Sequence, residues 1–268
     1  MSLFDIVILA LIQGVTEFLP ISSSGHLALW PLLSGRPDQG LVMDVAVHLG
    51  TLVAVCIYFR KDIGRLIIGA IDILRGRFRT PDARLTWLIA LATVPAVLAG
   101  LILKLTGGDL LLRNITVIGW ATLLGGCLLW AADRFGSEQR AGQGWGLRDA
   151  VLMGLAQALA LIPGTSRSGI TMTMARALGF ERTETARLSL LMAVPIIFAA
   201  GVLEITEVVR DGSPAFGTNL VLGALLSCIA ALIALSIMMR MFAGRWTMMP
   251  FVIYRLLLGA VLLTIAYS

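Results

Sequence analysis

Two short polar runs interrupt a mostly apolar chain and carry most of its chemistry. The first is Gln13-Gly14-Val15-Thr16-Glu17-Phe18-Leu19-Pro20-Ile21-Ser22-Ser23-Ser24-Gly25-His26, and the second is Pro163-Gly164-Thr165-Ser166-Arg167-Ser168-Gly169. In the first run Gln13 and Glu17 stand four apart, on one face of a helix. Pro20 ends that helix or turns the chain. The Ser run can cap the next helix, whose first amide groups are then free. His26 falls in the first turn of that helix, folded back toward Glu17. In the second run a Pro-Gly turn leads into hydroxyls, one guanidinium and another helix start. Two converging helix N-termini form an anion site, because free N–H groups and both dipoles point at it. Arg167 adds a planar fork of donors suited to phosphate. A carboxylate, an imidazole, an arginine and several hydroxyls together suit phosphoryl transfer, which asks mainly for positioning and charge neutralisation.

Each residue also has a plainer explanation. His26 could merely satisfy a helix terminus, Arg167 could be a loop cation, and the serines could simply cap, so at most one is expected to be a nucleophile. Glu17 is harder to explain away, since a carboxylate near mid-membrane costs roughly 3 kcal/mol or more to insert. Asp44 and His48 are four apart on one helical face, and both a supporting hydrogen-bond pair and a direct role stay open. Glu204 and Glu207 are expected at a solvated helix end. Arg75, Arg77 and Arg79 read as a topology signal, with contact to anionic lipid as the alternative. Cys56, Cys127 and Cys228 lack paired spacing and His neighbours, so they are expected to be small buried hydrophobes rather than a disulfide or a metal site.

The elements that hold these runs are membrane elements. Of 268 residues, 58% are hydrophobic and 14% charged, against about 25% charged in a soluble domain; the mean hydropathy is +0.91. Net charge is +5, but the cations lie between apolar stretches, which points to cytoplasmic loops and not to nucleic acid. The N-terminus lacks the cationic start and cleavage site of a signal peptide. Apolar stretches at 41–59, 85–103, 115–132, 188–209, 219–239 and 250–267 predict about six transmembrane helices. Segments 3–33 and 150–179 are broken by the two polar runs and read as re-entrant helix–turn–helix hairpins, since irregular backbone at membrane depth survives only in a cavity or inside protein. Arginine-rich 60–84 is placed in the cytoplasm as a loop. Threading onward puts 133–149 and the ends of the second hairpin inside, and makes the first hairpin enter from outside. A shift of 144 residues lays Gln13 on Gln157, Ser22 on Ser166, Ser24 on Ser168 and Gly25 on Gly169. The expected fold is therefore one all-α integral membrane domain over 1–268, with inverted-topology pseudo-repeats at roughly 1–132 and 145–268. Such repeats place a substrate site between their broken helices.

At these two hairpins the sequence resembles the undecaprenyl-diphosphate phosphatase family, also called bacitracin-resistance proteins. The segments QGVTEFLPISSSGH and PGTSRSG carry the resemblance, with Asp44 to Thr51 and Glu184 to Ser189 in support. It implies interlocked inverted repeats and a bacterial inner-membrane location. It implies hydrolysis of undecaprenyl diphosphate, the spent lipid carrier of cell-wall synthesis, and hence bacitracin resistance. The family's acidic motif maps to Gln13 and Glu17, and its functional Ser, His and Arg to Ser23, His26 and Arg167. On this basis Arg167 and the helix N-termini hold the diphosphate, Glu17 and His26 do acid–base work, and Ser23 or a water attacks phosphorus. Gln13, Ser24, Thr165, Ser166 and Ser168 are expected to bind substrate, with Asp44 and His48 in support. No cofactor is expected to be tightly bound. Mg²⁺ or Ca²⁺ could assist at Glu17, although one carboxylate makes a poor cage. The expected partners are the polyprenyl diphosphate and the bilayer, with room for a homodimer. The rival is a transporter or flippase for an anionic or prenyl-phosphate substrate, because broken helices and a midplane anion site also suit carriers.

Overall fold

The structure, a computed structural model, describes residues 2–35, 40–107, 114–140, 144–210 and 217–268, without the side chains of residues 28, 32, 33, 41, 204 and 207–210. The expectation for Glu204 and Glu207 lies outside that description. The described residues are helical, in the order α1 (Leu3–Thr16), α2 (Ser23–Ser34), α3 (Leu41–Tyr58), α4 (Arg60–Leu74), α5 (Pro81–Thr106), α6 (Ile115–Phe135), α7 (Leu147–Leu159), α8 (Arg167–Ala177), α9 (Arg182–Arg210), α10 (Thr218–Ala243) and α11 (Met249–Tyr267).

Helix ends follow from local chemistry. Ser2 and Asp5 form a reciprocal capping box at α1. Thr80 caps α5 by accepting the Ala83 N–H at 3.1 Å, with Pro81 as its first residue. Five helices, α5, α6, α10 and α11 with α9 as far as Leu203, are long and apolar enough to cross a bilayer. The sixth expected span is α3, but the chain bends by 90° after it into α4. Residues 60–74, expected as loop, are thus a helix. Their cations fall on one edge of an amphipathic helix, so they break its hydropathy without breaking its periodicity.

The two broken segments are hairpins, α1–α2 and α7–α8, and their turns are alike. Ser22 (φ 76°) and Ser166 (φ 67°) cap the second helices, each accepting the N–H of the glycine three residues on. A non-glycine residue held at positive φ costs on the order of 1–3 kcal/mol and persists only where its surroundings enforce it. Each hairpin leans on a span from the other half of the chain: α1 packs along α10, and α7 along α5. Glycines make both contacts close. A Cβ on Gly14 would stand 2.6 Å from Ala230 Cβ and Ser227 O, and one on Gly154 would stand 2.6 Å from Ala92 O. The main core gathers Phe18, Leu88, Met153, Met172 and Leu190, which are shut away from the surface. Cys127, expected to be buried, is exposed on α6, while Cys56 and Cys228 are half-buried. A thiol on an outward face meets lipid at no greater cost than a methyl-sized neighbour would.

At one end of the bundle, charged residues pair. Buried Arg176 at the end of α8 donates to Asp133 at 3.1 Å, and Arg182 reaches the same carboxylate at 2.8 Å and also pairs with Glu138. Arg140 pairs with Asp149 at the start of α7, and Arg187 bridges Asp62 and Glu184. Burial would raise the Asp149 carboxyl, but hydrogen bonds from Arg140 and the Gly146 N–H outweigh it and hold the group below the usual range. The start of α7 and the end of α8 share this belt, as a re-entrant hairpin requires.

Candidate active site

The last turn of α1 presents Gln13 and Glu17 on one face, and the carboxylate of Glu17 becomes the meeting point of four elements. Its Oε2 accepts from Gln13 Nε2 at 3.0 Å and from Ser23 Oγ of α2 at 2.9 Å. Its Oε1 accepts from Arg167 Nη2 of α8 at 3.1 Å. His48 Nε2 of α3 stands 3.9 Å from Oε2. Arg167 also donates to Ser189 O at 3.4 Å, and its guanidinium carbon lies 5.9 Å from the centre of the Phe18 ring. A largely buried ion pair contributes little net stability, because desolvation offsets the attraction. Its presence at membrane depth therefore points to function.

Hydrogen bonds sew the two hairpin tips together. Ser24 Oγ accepts the Gly164 N–H at 3.1 Å, and Ser168 Oγ donates to Leu19 O at 2.9 Å. The largest tie is Arg255 on α11, which is fully buried. It donates to Pro20 O of the first turn (3.4 Å) and to Gly164 O (3.1 Å) and Thr165 O (2.9 Å) of the second, as well as to Thr122 O (3.1 Å). Its acceptors are backbone carbonyls throughout. Sequence reasoning missed Arg255. The signal was there: an arginine inside an apolar span is as costly as Glu17 is.

A cavity of about 400 Å³ opens beside the ion pair. It is lined by the polar side chains of Glu17, Ser24, His48, Gln157 and Arg167 and by apolar residues that include Ala96 of α5, Leu161, and Ile196, Ala200 and Gly201 of α9. Gln157 is a second residue whose role the sequence did not show. It is buried, donates weakly to Ala92 O at 3.5 Å, and its Oε1 has no partner. A small polar head joined to a long apolar tail fits such a mixed lining, and the guanidinium gives the head an anionic preference.

A profile of the family described as "Bacitracin resistance protein BacA" matches residues 6–261. The chain belongs to this family. Full-length relatives named undecaprenyl-diphosphatase include those of Ruegeria pomeroyi (53% identical) and Dinoroseobacter shibae (51%), each aligned over 268 residues and all of both chains. The relative of the same name from Teredinibacter turnerae is 49% identical over 265 residues, 98% of each chain.

In this BacA-family chain the expected residues divide into three groups. Glu17, Ser24, Arg167 and His48 line the cavity, and Ser23 is bonded to Glu17. Gln13, Ser166 and Ser168 are buried behind it, where they hold the shape of the hairpins. Thr165 faces a separate apolar groove with Trp120 and Leu124, so only its carbonyl serves the tips. His26 does not fold onto Glu17. Its Nδ1 meets Ser22 O at 2.7 Å and its Nε2 the Tyr254 hydroxyl at 2.6 Å, with the two rings stacked. The carbonyl can only accept, so Nδ1 carries the proton. Asp44 supports His48 through its backbone carbonyl, which accepts from His48 Nδ1 at 2.7 Å and turns Nε2 toward Glu17. Among the described residues no group of three His, Cys, Asp or Glu side chains could hold a metal ion. Both Glu17 oxygens already accept from donors, one of them a cation. This donor set does not fit a resident Mg²⁺ or Ca²⁺.

Proposed function

We propose that this multi-pass membrane protein removes the terminal phosphate of undecaprenyl diphosphate, releasing undecaprenyl phosphate for reuse in cell-wall synthesis and so conferring resistance to bacitracin. It works in the inner membrane of a bacterium. The observation that carries the reading is the Ser23–Glu17–Arg167 chain, which joins a hydroxyl, a carboxylate and a guanidinium from three helices beside a cavity that also has apolar lining from α5 and α9. The names of the full-length relatives supply the substrate.

The chemistry follows from that chain. Arg167 and the free amide groups at the starts of α2 and α8 receive the diphosphate oxygens. Ser23 Oγ attacks the terminal phosphorus while Glu17 takes its proton, a nucleophile already hydrogen-bonded to its base. The bond from that phosphorus to the bridging oxygen breaks. Undecaprenyl phosphate leaves as an anion, so its departure does not depend on a strong general acid. Water then hydrolyses the phosphoserine, returning Ser23 and inorganic phosphate. His26 lies three residues beyond Ser23, engaged with Ser22 O and Tyr254. We assign it to holding Ser22 in its unusual conformation, which aims the start of α2, and not to proton transfer.

The cavity is read as opening to the outer leaflet. Its lining on α9 lies 14–19 residues past Arg182 in the charged belt, roughly 21–28 Å along a helix at 1.5 Å per residue. The belt itself closes the cytoplasmic end.

The test is phosphate release from undecaprenyl diphosphate by the detergent-purified protein, beside Ser23→Ala and Arg167→Ala. A loss of at least a hundredfold in both, about 2.7 kcal/mol of barrier, is expected, with a ³²P-labelled serine trapped by acid quench. Wild type that binds the lipid yet releases no phosphate would hand the site to the transporter reading.

A further inference from the structure

The surface built from α4 and the turn after it takes no part in the chemistry above. After Phe59 the chain turns by 90° from α3 into α4; with the apolar α3 set across the bilayer, α4 lies along its plane. It is fixed there by α5. Thr86 Oγ1 donates to Leu66 O at 3.1 Å, Arg65 Nε donates to Asp82 at 2.8 Å, and Thr80 Oγ1 donates to Asp72 at 2.8 Å. Gly69 lets the two backbones approach, since a Cβ there would meet Asp82 O and Thr86 Oγ1.

The outer faces of this ledge are of two kinds. Ile67, Ile71 and Leu74 share one helical face with Ile68 at its border, exposed by 56%, 41%, 87% and 53%. They are followed by Phe78 at 59%. Lys61 and Arg65 run along the adjoining edge, and Arg75, Arg77 and Arg79 are exposed in the turn around Gly76 (φ 75°). Among the described residues the side chains of these three arginines make no hydrogen bond or ion pair. Nearby carboxylates are committed elsewhere: Asp62 to Arg187 and Arg65, Asp82 to Arg65, and Asp72 to Thr80. A cleft of about 450 Å³ lies between Arg77, Phe78, Arg79 and Thr80.

We propose that α4 and residues 75–79 form a binding site for anionic phospholipid. An in-plane helix with an apolar face and a cationic edge sits at the boundary of headgroup and acyl chains. Here acyl chains lie against Ile67, Ile71, Leu74 and Phe78, and the phosphate of the headgroup sits among Arg75, Arg77 and Arg79. An acidic peptide or nucleic acid would leave the isoleucine and leucine face in water, whereas a lipid uses both faces together. The site is independent of the hydrolysis proposed above, since it shares no residue with it.

The experiment measures binding of fluorescent phosphatidylglycerol and of its phosphatidylcholine counterpart to the full-length protein in detergent at low salt. Three proteins are compared: wild type, the triple variant Arg75→Gln/Arg77→Gln/Arg79→Gln, and the control Arg134→Gln/Arg240→Gln/Arg245→Gln, which removes the same charge from exposed positions elsewhere. Wild type and control are expected to prefer phosphatidylglycerol, and the first triple to bind it more weakly on the order of a hundredfold. Phosphatidylcholine binding stays the same in all three. Equal losses in both triples would reduce the effect to net charge and overturn the proposal. Displacement of the lipid by inorganic phosphate at equal concentration would also overturn it, because the apolar face would then contribute nothing. Thermal melting of each variant confirms that the comparison is between folded proteins.

Discussion

Arg255 carries more of the site's geometry than its position suggests. Its guanidinium satisfies carbonyls from both hairpin tips in a dry interior, Pro20 O and Thr165 O as well as Gly164 O, which also accepts from Thr122 Oγ1. A buried acceptor left without a partner costs about 1–3 kcal/mol. Arg255→Met is therefore expected to lower unfolding stability by at least about 3 kcal/mol and to abolish phosphate release. Arg255→Lys, which keeps the charge but has no fork, recovers part of the stability and little of the activity. Melting curves in detergent, run beside the phosphate assay, separate the two effects. If both variants matched wild type in activity, the tips would be held by something other than this side chain. Glu17 was legible from the sequence by its cost in an apolar segment, and so was Arg167 by its Ser-rich turn. Which donors Glu17 would collect was not legible, because Ser23, His48 and Arg167 reach it from separate helices.

The hairpins depend on close backbone contact with α10 and α5. Gly14 and Gly154 are the points of closest approach, and no side chain fits between the backbones there. Gly14→Leu and Gly154→Leu each overpack a filled interface, a cost of about 1–3 kcal/mol. Both should also lower phosphate release, since a hairpin pushed outward carries Glu17 or Arg167 with it. A variant that melts earlier but keeps full activity would show that the tips stay joined while their stems move. At this scale the sequence anticipated the broken helices, because Pro20 and the Pro163-Gly164 pair stop regular structure locally. It did not anticipate that 60–74 is helical, since an amphipathic helix rich in arginine resembles a cytoplasmic loop in average hydropathy.

Two properties belong to the whole molecule. The first is the cavity, whose lining joins polar groups of α1, α2, α3, α7 and α8 to apolar ones of α5 and α9. Ala200 is exposed in its apolar lining. Ala200→Trp is expected to raise KM for undecaprenyl diphosphate at least tenfold while leaving farnesyl diphosphate, whose tail is far shorter, within about twofold; ten-fold corresponds to about 1.4 kcal/mol. An equal effect on both substrates would place the tail elsewhere. The second is the charged belt. The Asp149 carboxyl titrates lower in the folded chain than in the unfolded one, so its contribution is complete above the unfolded value, about 3.9. It is lost as pH falls through the folded value. The difference in melting temperature between wild type and Arg140→Gln should be full at pH 7 and shrink below about pH 3.9. A difference that stayed constant down to pH 3 would mean that Arg140 acts through the carbonyls of Gly144 and Leu178 and not through Asp149.

What the amino-acid sequence determined by itself is local or additive: membrane residence, the approximate positions of the apolar helices, the two breaks, and the acid and base types placed at them. Each follows from runs of neighbouring residues, because hydropathy and helix termination act over a few turns of chain. Only the tertiary structure decided which of those groups meet. Glu17 and Arg167 are 150 residues apart, and their contact depends on each hairpin packing against a span of the other half. The same packing turned His26 to Tyr254 on α11, brought His48 to the carboxylate in its stead, and set Thr165 against a separate groove. Those outcomes depend on helix rotation and on contacts distant along the chain, which no pattern of nearest neighbours encodes.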